Sequence, residues 1–144
     1  MATVELRFSP LPEHVRTARL VAAAVARRAG VDEAVLDEVR LAVGEACSRA
    51  VGLHQSSGIP APVRVALIEE EKKFSIEVGD EAPRTVAAPE VPGARGAADD
   101  LEAEGEDEMG LAVISGLVDD VEVTADASGG LIRMSWPAAP VTLP

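Results

Sequence analysis

The chain has 144 residues, of which 25 are acidic and 13 are basic, so its formal net charge is -12. This length suits one compact domain over residues 1–144 and is too short for two. The negative charge repels phosphate backbones and anionic lipids, so we expect no direct contact with nucleic acid or a membrane. Aromatic residues make up only 2% of the chain, which predicts an aliphatic core.

The sequence also limits the expected location and metal chemistry. Its single cysteine excludes an internal disulfide, and there is no Cys/His cluster to hold a structural zinc. No apolar run approaches the ~20 residues of a membrane helix, and the first residues lack a basic and then apolar leader. We therefore expect a cytoplasmic protein without a metal of its own.

The N-terminal half predicts one strand and two helices. Apolar and polar residues alternate from Thr3 to Phe8, as in a strand buried on one side. Apolar residues then recur at helical spacing from Glu13 to Ala29, and Gly30 is a suitable C-cap. A second helix is predicted to begin with Asp32 as N-cap and to end near Leu53.

The next part of the chain predicts a hairpin. Residues from Gln55 to Pro62 are rich in Ser, Gly and Pro, which indicates a loop. Val63 to Glu69 and Phe74 to Val78 predict two strands, joined by a turn over Glu70 to Lys73.

Residues 80–108 have no periodicity and predict a mobile acidic lid. The segment carries several prolines and glycines, with ten acidic and two basic side chains. Such a composition gives too little apolar burial to offset the entropy of ordering it.

The C-terminal part predicts one more helix and a closing hairpin. The helix spans Gly110 to Val118, and the strands span Val121 to Thr124 and Leu131 to Trp136. Residues 137–144 are proline-rich and are predicted to fray. The full order of elements predicts an α+β fold, a two-layer sandwich whose mixed, mostly antiparallel sheet carries helices on one face.

The segment from Leu41 to Val51 places Glu45 and Arg49 four residues apart, on one face of a helix. With the order of elements, it resembles the ATPase superfamily of gyrase, heat-shock chaperones, sensor histidine kinases and mismatch-repair proteins. Within that GHKL group the sequence is most similar to the anti-sigma factor serine kinases of Gram-positive bacteria, as a degenerate actinobacterial-type member. The resemblance implies a histidine-kinase-like ATPase fold.

The resemblance implies roles for both residues. In the family the Glu acts as a base or orients water, and an Asn four residues later ligates magnesium. Glu45 matches the Glu, but Arg49 replaces the Asn, and a donor-only guanidinium cannot ligate a metal ion. Arg49 could lie against phosphate oxygens instead, or the two residues could form an ordinary surface ion pair.

Two further segments resemble the family's glycine boxes in part. Asp80 matches the acid that accepts from the adenine amino group, but Ala82 and Arg84 replace the two glycines that follow it. Asp80 could also be an ordinary turn residue at the end of a strand. Of the second box only Gly110 remains, and the carboxylates of residues 106–108 would repel a triphosphate while capping the helix dipole.

The resemblance therefore implies a partner-switching regulator. It would bind a sigma factor, an anti-anti-sigma protein of the STAS type, or both, and would form a homodimer. We expect no cofactor, with ATP and magnesium bound only if the site works. The alternatives are an active ATP-dependent serine kinase, in which Glu45 helps to phosphorylate the anti-anti-sigma partner, and a purely structural scaffold.

The partner is expected at the start of the second helix and the loop before it, where exposed charges cluster. These are Arg27, Arg28, Asp32, Glu33 and Asp37. Two histidines, His14 and His54, have no partner at a telling spacing and are expected to be surface or structural residues. Cys47 is expected to be a buried apolar residue rather than a redox sensor.

Overall fold

The computed structural model describes residues 2–83, 114, 116–118 and 120–139. Within them the chain forms a five-stranded sheet and two long helices. The elements are β1 (Ala2–Phe8), α1 (Glu13–Ala29), a 3-10 turn (Glu33–Val35), α2 (Leu36–Ser56), β2 (Val63–Glu69), β3 (Lys73–Asp80), β4 (Asp120–Asp126) and β5 (Gly129–Pro137).

The sheet has the strand order β1-β2-β3-β5-β4, and each neighbouring pair of these strands is antiparallel. β1 and β4 are its two edges. Leu67 of β2 lies opposite Val4 of β1 and Ile76 of β3, and Ile76 in turn lies opposite Met134 of β5. This register aligns the apolar residues of neighbouring strands on one face of the sheet.

Both helices pack on that apolar face, which confirms the predicted α+β class. The core contains Phe74, Ile76 and Met134 of the sheet together with Val39 and Val43 of α2, each with no exposed surface. Most other core residues are Val, Leu, Ile and Ala, as the composition predicts, although Trp136 is also buried.

α1 has the predicted bounds and ends at Gly30, which adopts a left-handed φ of 99°. The Gly30 amide donates to the Arg27 carbonyl oxygen at 3.2 Å, and the Gly30 carbonyl oxygen accepts from the Ala139 amide at 3.0 Å. A Cβ at residue 30 would lie only 1.8 Å from the Ala139 carbonyl oxygen. We call this close approach of Gly30 and Ala139 the Gly30 crossing. It requires glycine, because any other residue would have a strained backbone and a side chain that clashes with Ala139.

The same contact bears on the predicted frayed tail, residues 137–144. Pro137 lies in β5, and the Ala138 amide donates to the Lys72 carbonyl oxygen at 3.0 Å. Residues 137–139 are thus hydrogen-bonded or paired, and residues 140–144 lie outside the described part of the chain.

The start of the second helix differs slightly from the prediction. Asp32 is a cap, as expected, and its Oδ1 accepts from the Ala34 amide at 2.9 Å. The turn that it caps is 3-10, however, and the α-helix itself starts at Leu36 and ends at Ser56. The helix therefore ends three residues beyond the predicted Leu53.

The strands around the predicted lid are longer than expected. β3 continues to Asp80, the first residue of the predicted lid 80–108, and residues 84–108 lie outside the described part.

Of the predicted helix 110–118, residues 114, 116 and 117 are helical. No helix in the described ranges is both long and apolar enough to cross a membrane.

Candidate functional site

Glu45 and Arg49 lie on α2, as predicted, but they do not form a pair. Glu45 is exposed and Arg49 is half-buried. Within the residues that the structure describes, Glu45 makes no side-chain hydrogen bond or ion pair. Arg49 is engaged in an interaction of its own. The Glu45 carboxylate therefore faces solvent, where it can contact a bound molecule.

Glu45 forms part of the wall of an open groove between α1 and α2, which we name the helix groove. Its volume is about 510 Å³. The residues that line it are Pro12, Glu13, Val15, Arg16, Arg19, Leu41, Gly44, Glu45 and Ser48. The groove thus combines exposed carboxylates and guanidinium groups with an apolar residue, Leu41, that is 55% exposed.

Gly44 determines how Arg19 lies in the helix groove. Gly44 is buried, and a Cβ at this position would lie 2.8 Å from Cδ of Arg19. The methylene groups of Arg19 therefore run directly over the α2 backbone, and the charged end remains exposed. This groove was not predicted from the sequence, although two arginines at helical spacing on α1 and a glycine within α2 are its signal.

Asp80 ends β3 and is 4% exposed. Its Oδ1 accepts a hydrogen bond from the Ala82 amide at 3.0 Å. This is the backbone geometry of an Asx-type turn, in which the acid orders the two residues after it. Ala82, which the resemblance aligns with the first glycine of the family's box, is 2% exposed. Arg84 and Gly110, the other predicted site positions, lie outside the described residues.

The side chains at the predicted nucleotide site can be compared with what a magnesium-bound nucleotide requires. Asp80 is the carboxylate that the resemblance predicts to accept from the adenine amino group. Arg49 offers no oxygen to a magnesium ion, which requires oxygen ligands. In the described ranges no group of three or more His, Cys, Asp or Glu side chains could hold a metal ion. The donor-only side chain of Arg49 therefore does not fit the role of a magnesium ligand.

The charges of the predicted docking face are largely engaged with each other. Arg27 pairs with Glu33 at 3.1 Å, and Arg28 pairs with Glu69 of β2 at 2.8 Å. Asp37 pairs with Arg40 on the next turn of α2. These exposed pairs contribute little to stability, but a partner would have to compete with them.

Two other side chains are buried near the centre of α2 and at its end. Cys47 has no exposed surface, and burial raises the pKa of its thiol to about 12. His54, in the last turn of α2, is also fully buried. The burial of Cys47 agrees with the sequence-based expectation, and of the two roles left open for His54, surface or structural, its burial excludes the surface.

The sequence model of the histidine kinase-like ATPase domain matches residues 8–136. The chain belongs to this family. The match runs from the last residue of β1 to the last but one of β5, so it includes the residues of the helix groove and Asp80. No curated protein matches the sequence.

Among solved structures, the RsbU and RsbW domains of Rv1364c from Mycobacterium tuberculosis are similar to this ATPase-family chain, with a TM-score of 0.63 and 18% sequence identity. The match covers 99% of this chain and 35% of the other. At this identity the likeness supports the fold alone.

Proposed function

We propose that this domain is an anti-sigma-type regulator that works by binding partners, with a degenerate nucleotide site. The observation that carries the proposal is Arg49. It occupies the position of the magnesium-binding Asn on a helix that otherwise keeps the family pattern, including Glu45. A protein that holds its partners by affinity alone does not need that metal, because occupancy follows concentrations and dissociation constants.

The partners are a sigma factor and a STAS-type anti-anti-sigma protein, and we assign them to the helix groove. Arg16 and Arg19 are exposed there and have no ion pair in the part of the chain that the structure describes. Leu41, which lines the same groove, is 55% exposed. Exposed guanidinium groups beside an exposed leucine suit an acidic, amphipathic segment of a partner.

The test uses purified alternative sigma factors and STAS proteins encoded by the same genome. Binding is measured by fluorescence anisotropy for the native chain and for a variant that carries Arg16→Glu and Arg19→Glu. We expect the variant to lose about tenfold in affinity for at least one partner, with a smaller difference at high salt. No binding to any of these proteins would refute the proposal.

A matched control separates the two candidate faces. Arg27→Glu and Arg28→Glu change the charge by the same amount at the other end of α1. If only this second variant loses affinity, the partner binds the face that the sequence predicts, and the helix groove assignment is wrong.

The alternative is an active serine kinase, and the exposed carboxylate of Glu45 is the observation that favours it. Glu45→Ala removes this group without touching the core. Because Glu45 also lines the helix groove, partner affinity can change under either account, and phosphate transfer is the readout that separates them. The kinase would be supported if the native chain transferred phosphate to a serine of the STAS partner and Glu45→Ala abolished this transfer.

We also propose that the domain forms a homodimer through β1. This strand is an edge of the sheet, and its apolar residues Val4, Leu6 and Phe8 are only partly buried against the core. A second copy could cover them and extend the sheet. Light scattering should give twice the chain mass at micromolar concentration. A monomer mass across a wide concentration range would refute the dimer.

A further inference from the structure

The turn after β3 is held by one internal hydrogen bond and by contacts from two other parts of the chain. We name Asp80, Glu81 and Ala82 the Asp80 turn. The side chain of Asp80 accepts from the Ala82 amide at 3.0 Å. Gly129, at the start of β5, approaches so closely that a Cβ there would lie 2.0 Å from the Asp80 carbonyl oxygen. The remaining amide of the turn, that of Glu81, donates to His54.

The ring of His54 joins the Asp80 turn to α2. Its Nε2 accepts from the Glu81 amide at 2.8 Å, and its Nδ1 lies 2.9 Å from the carbonyl oxygen of Ala61. A carbonyl oxygen only accepts and an amide only donates. The ring therefore has to carry its hydrogen on Nδ1 and keep Nε2 bare. His54 has no exposed surface, so water cannot replace either partner.

The other protonation states of the ring do not fit these neighbours. A hydrogen on Nε2 would face the hydrogen of the Glu81 amide. In the neutral tautomer that carries its hydrogen on Nε2, Nδ1 has no hydrogen, so the Ala61 carbonyl oxygen would also lose its donor. Buried polar groups are rarely left unpaired, because they lose their bonds to water. One neutral tautomer is thus selected by two backbone groups from different segments.

We infer that His54 is a positioning residue for the Asp80 turn. It fixes the end of β3, and with it the buried carboxylate of Asp80, relative to the last turn of α2. Helix α2 also carries Glu45 and Arg49, so the imidazole links the two parts of the candidate site by hydrogen bonds in addition to the packing of α2 on β3. This inference concerns the geometry of the family's site and does not rest on which partner the protein binds.

The test is an NMR experiment on the full chain labelled with nitrogen-15. In the native protein at neutral pH, the His54 ring should show a protonated Nδ1 and a bare Nε2. The Glu81 amide should exchange slowly with solvent although it lies beyond the end of β3. A protonated Nε2, or rapid exchange at Glu81, would overturn the inference.

Two variants distinguish positioning from a general structural role. His54→Leu fills the buried space with an apolar side chain but removes both hydrogen bonds, so the exchange rate of the Glu81 amide should rise about tenfold. The amide of Leu67, in the middle of β2, should change less than about twofold. His54→Gln again supplies a donor and an acceptor and should restore most of the Glu81 protection.

The outcomes are separable even if a variant is unstable. Equal acceleration at Glu81 and Leu67 in His54→Leu would show loss of overall stability and would contradict positioning. If His54→Leu does not fold, two other measurements test the inference. These are the tautomer of His54 in the native protein and the exchange rate of the Glu81 amide in His54→Gln. His14→Gln, at the partly exposed histidine of α1, is the control and should leave exchange at Glu81 unchanged.

Discussion

Position 49 is the residue on which the nucleotide question depends. An Asn there would supply an amide oxygen to magnesium, whereas the guanidinium of Arg49 supplies only donors. The sequence predicts this replacement through the family resemblance, because Arg49 lies four residues after Glu45 in an otherwise matching segment. It could not show that Glu45 faces a groove while Arg49 is half-buried.

We predict that the native chain binds ATP weakly or undetectably at millimolar magnesium, and that Arg49→Asn alone does not restore binding. The substitution returns a metal ligand, but Ala82 remains buried where a glycine would let the backbone approach a nucleotide. Isothermal titration calorimetry of both proteins checks this. Micromolar affinity in the native chain would show that the site is not degenerate.

Cys47 offers a second prediction at this scale, because burial raises the pKa of its thiol from 9.0 to about 12. The unfolded chain loses the thiol proton first, so this group favours the folded state fully below pH 9 and less as the pH rises toward 12. The urea concentration at the unfolding midpoint should therefore decrease as the pH is raised from about 8.5 to roughly 10.5. The fall should be smaller in Cys47→Ala, and an equal fall in both proteins would contradict the assignment.

At the scale of elements, the sequence predicted the strands and helices of the described ranges with small errors at their ends. The periods of α1 and β2 gave their bounds without error, because each is flanked by a residue that stops it: Gly30 after α1 and Pro62 before β2. β3 and β5 extend further than predicted because they pair with each other, for example Asp80 with Gly130. Such pairing depends on tertiary contacts that a local pattern does not contain.

The crossing of Gly30 and Ala139 yields a prediction about stability. Gly30→Ala places a Cβ against a backbone carbonyl oxygen and forces a left-handed φ on alanine. We expect a loss of about 2–3 kcal/mol in the free energy of unfolding. Urea denaturation measures it.

Gly52→Ala is the matched control for this substitution. Gly52 is exposed in α2, and a Cβ there would meet nothing within 4 Å. This change should raise the free energy of unfolding by about 0.5–1 kcal/mol, since alanine favours a helix more than glycine does. Equal effects of the two substitutions would mean that the Gly30 crossing is not needed.

At the scale of the whole molecule, the fold was more predictable than the site. The order of elements was enough for the α+β class and for the family resemblance, and the family match over residues 8–136 agrees with both. The helix groove and the role of His54 were not predictable, because each depends on side chains from distant segments. Arg19 and Gly44 are 25 positions apart in the sequence, for instance, but in contact across two helices.

The most direct measurement follows the release of a bound sigma factor. The complex with its sigma factor is mixed with the unphosphorylated STAS partner without ATP, and release is followed by fluorescence anisotropy. ATP and magnesium are then added, and the partner is examined for phosphoserine by mass spectrometry. Our account predicts that release is complete without ATP and that no phosphoserine forms. Phosphoserine that accumulates with the native chain, and not with Glu45→Ala, would contradict it.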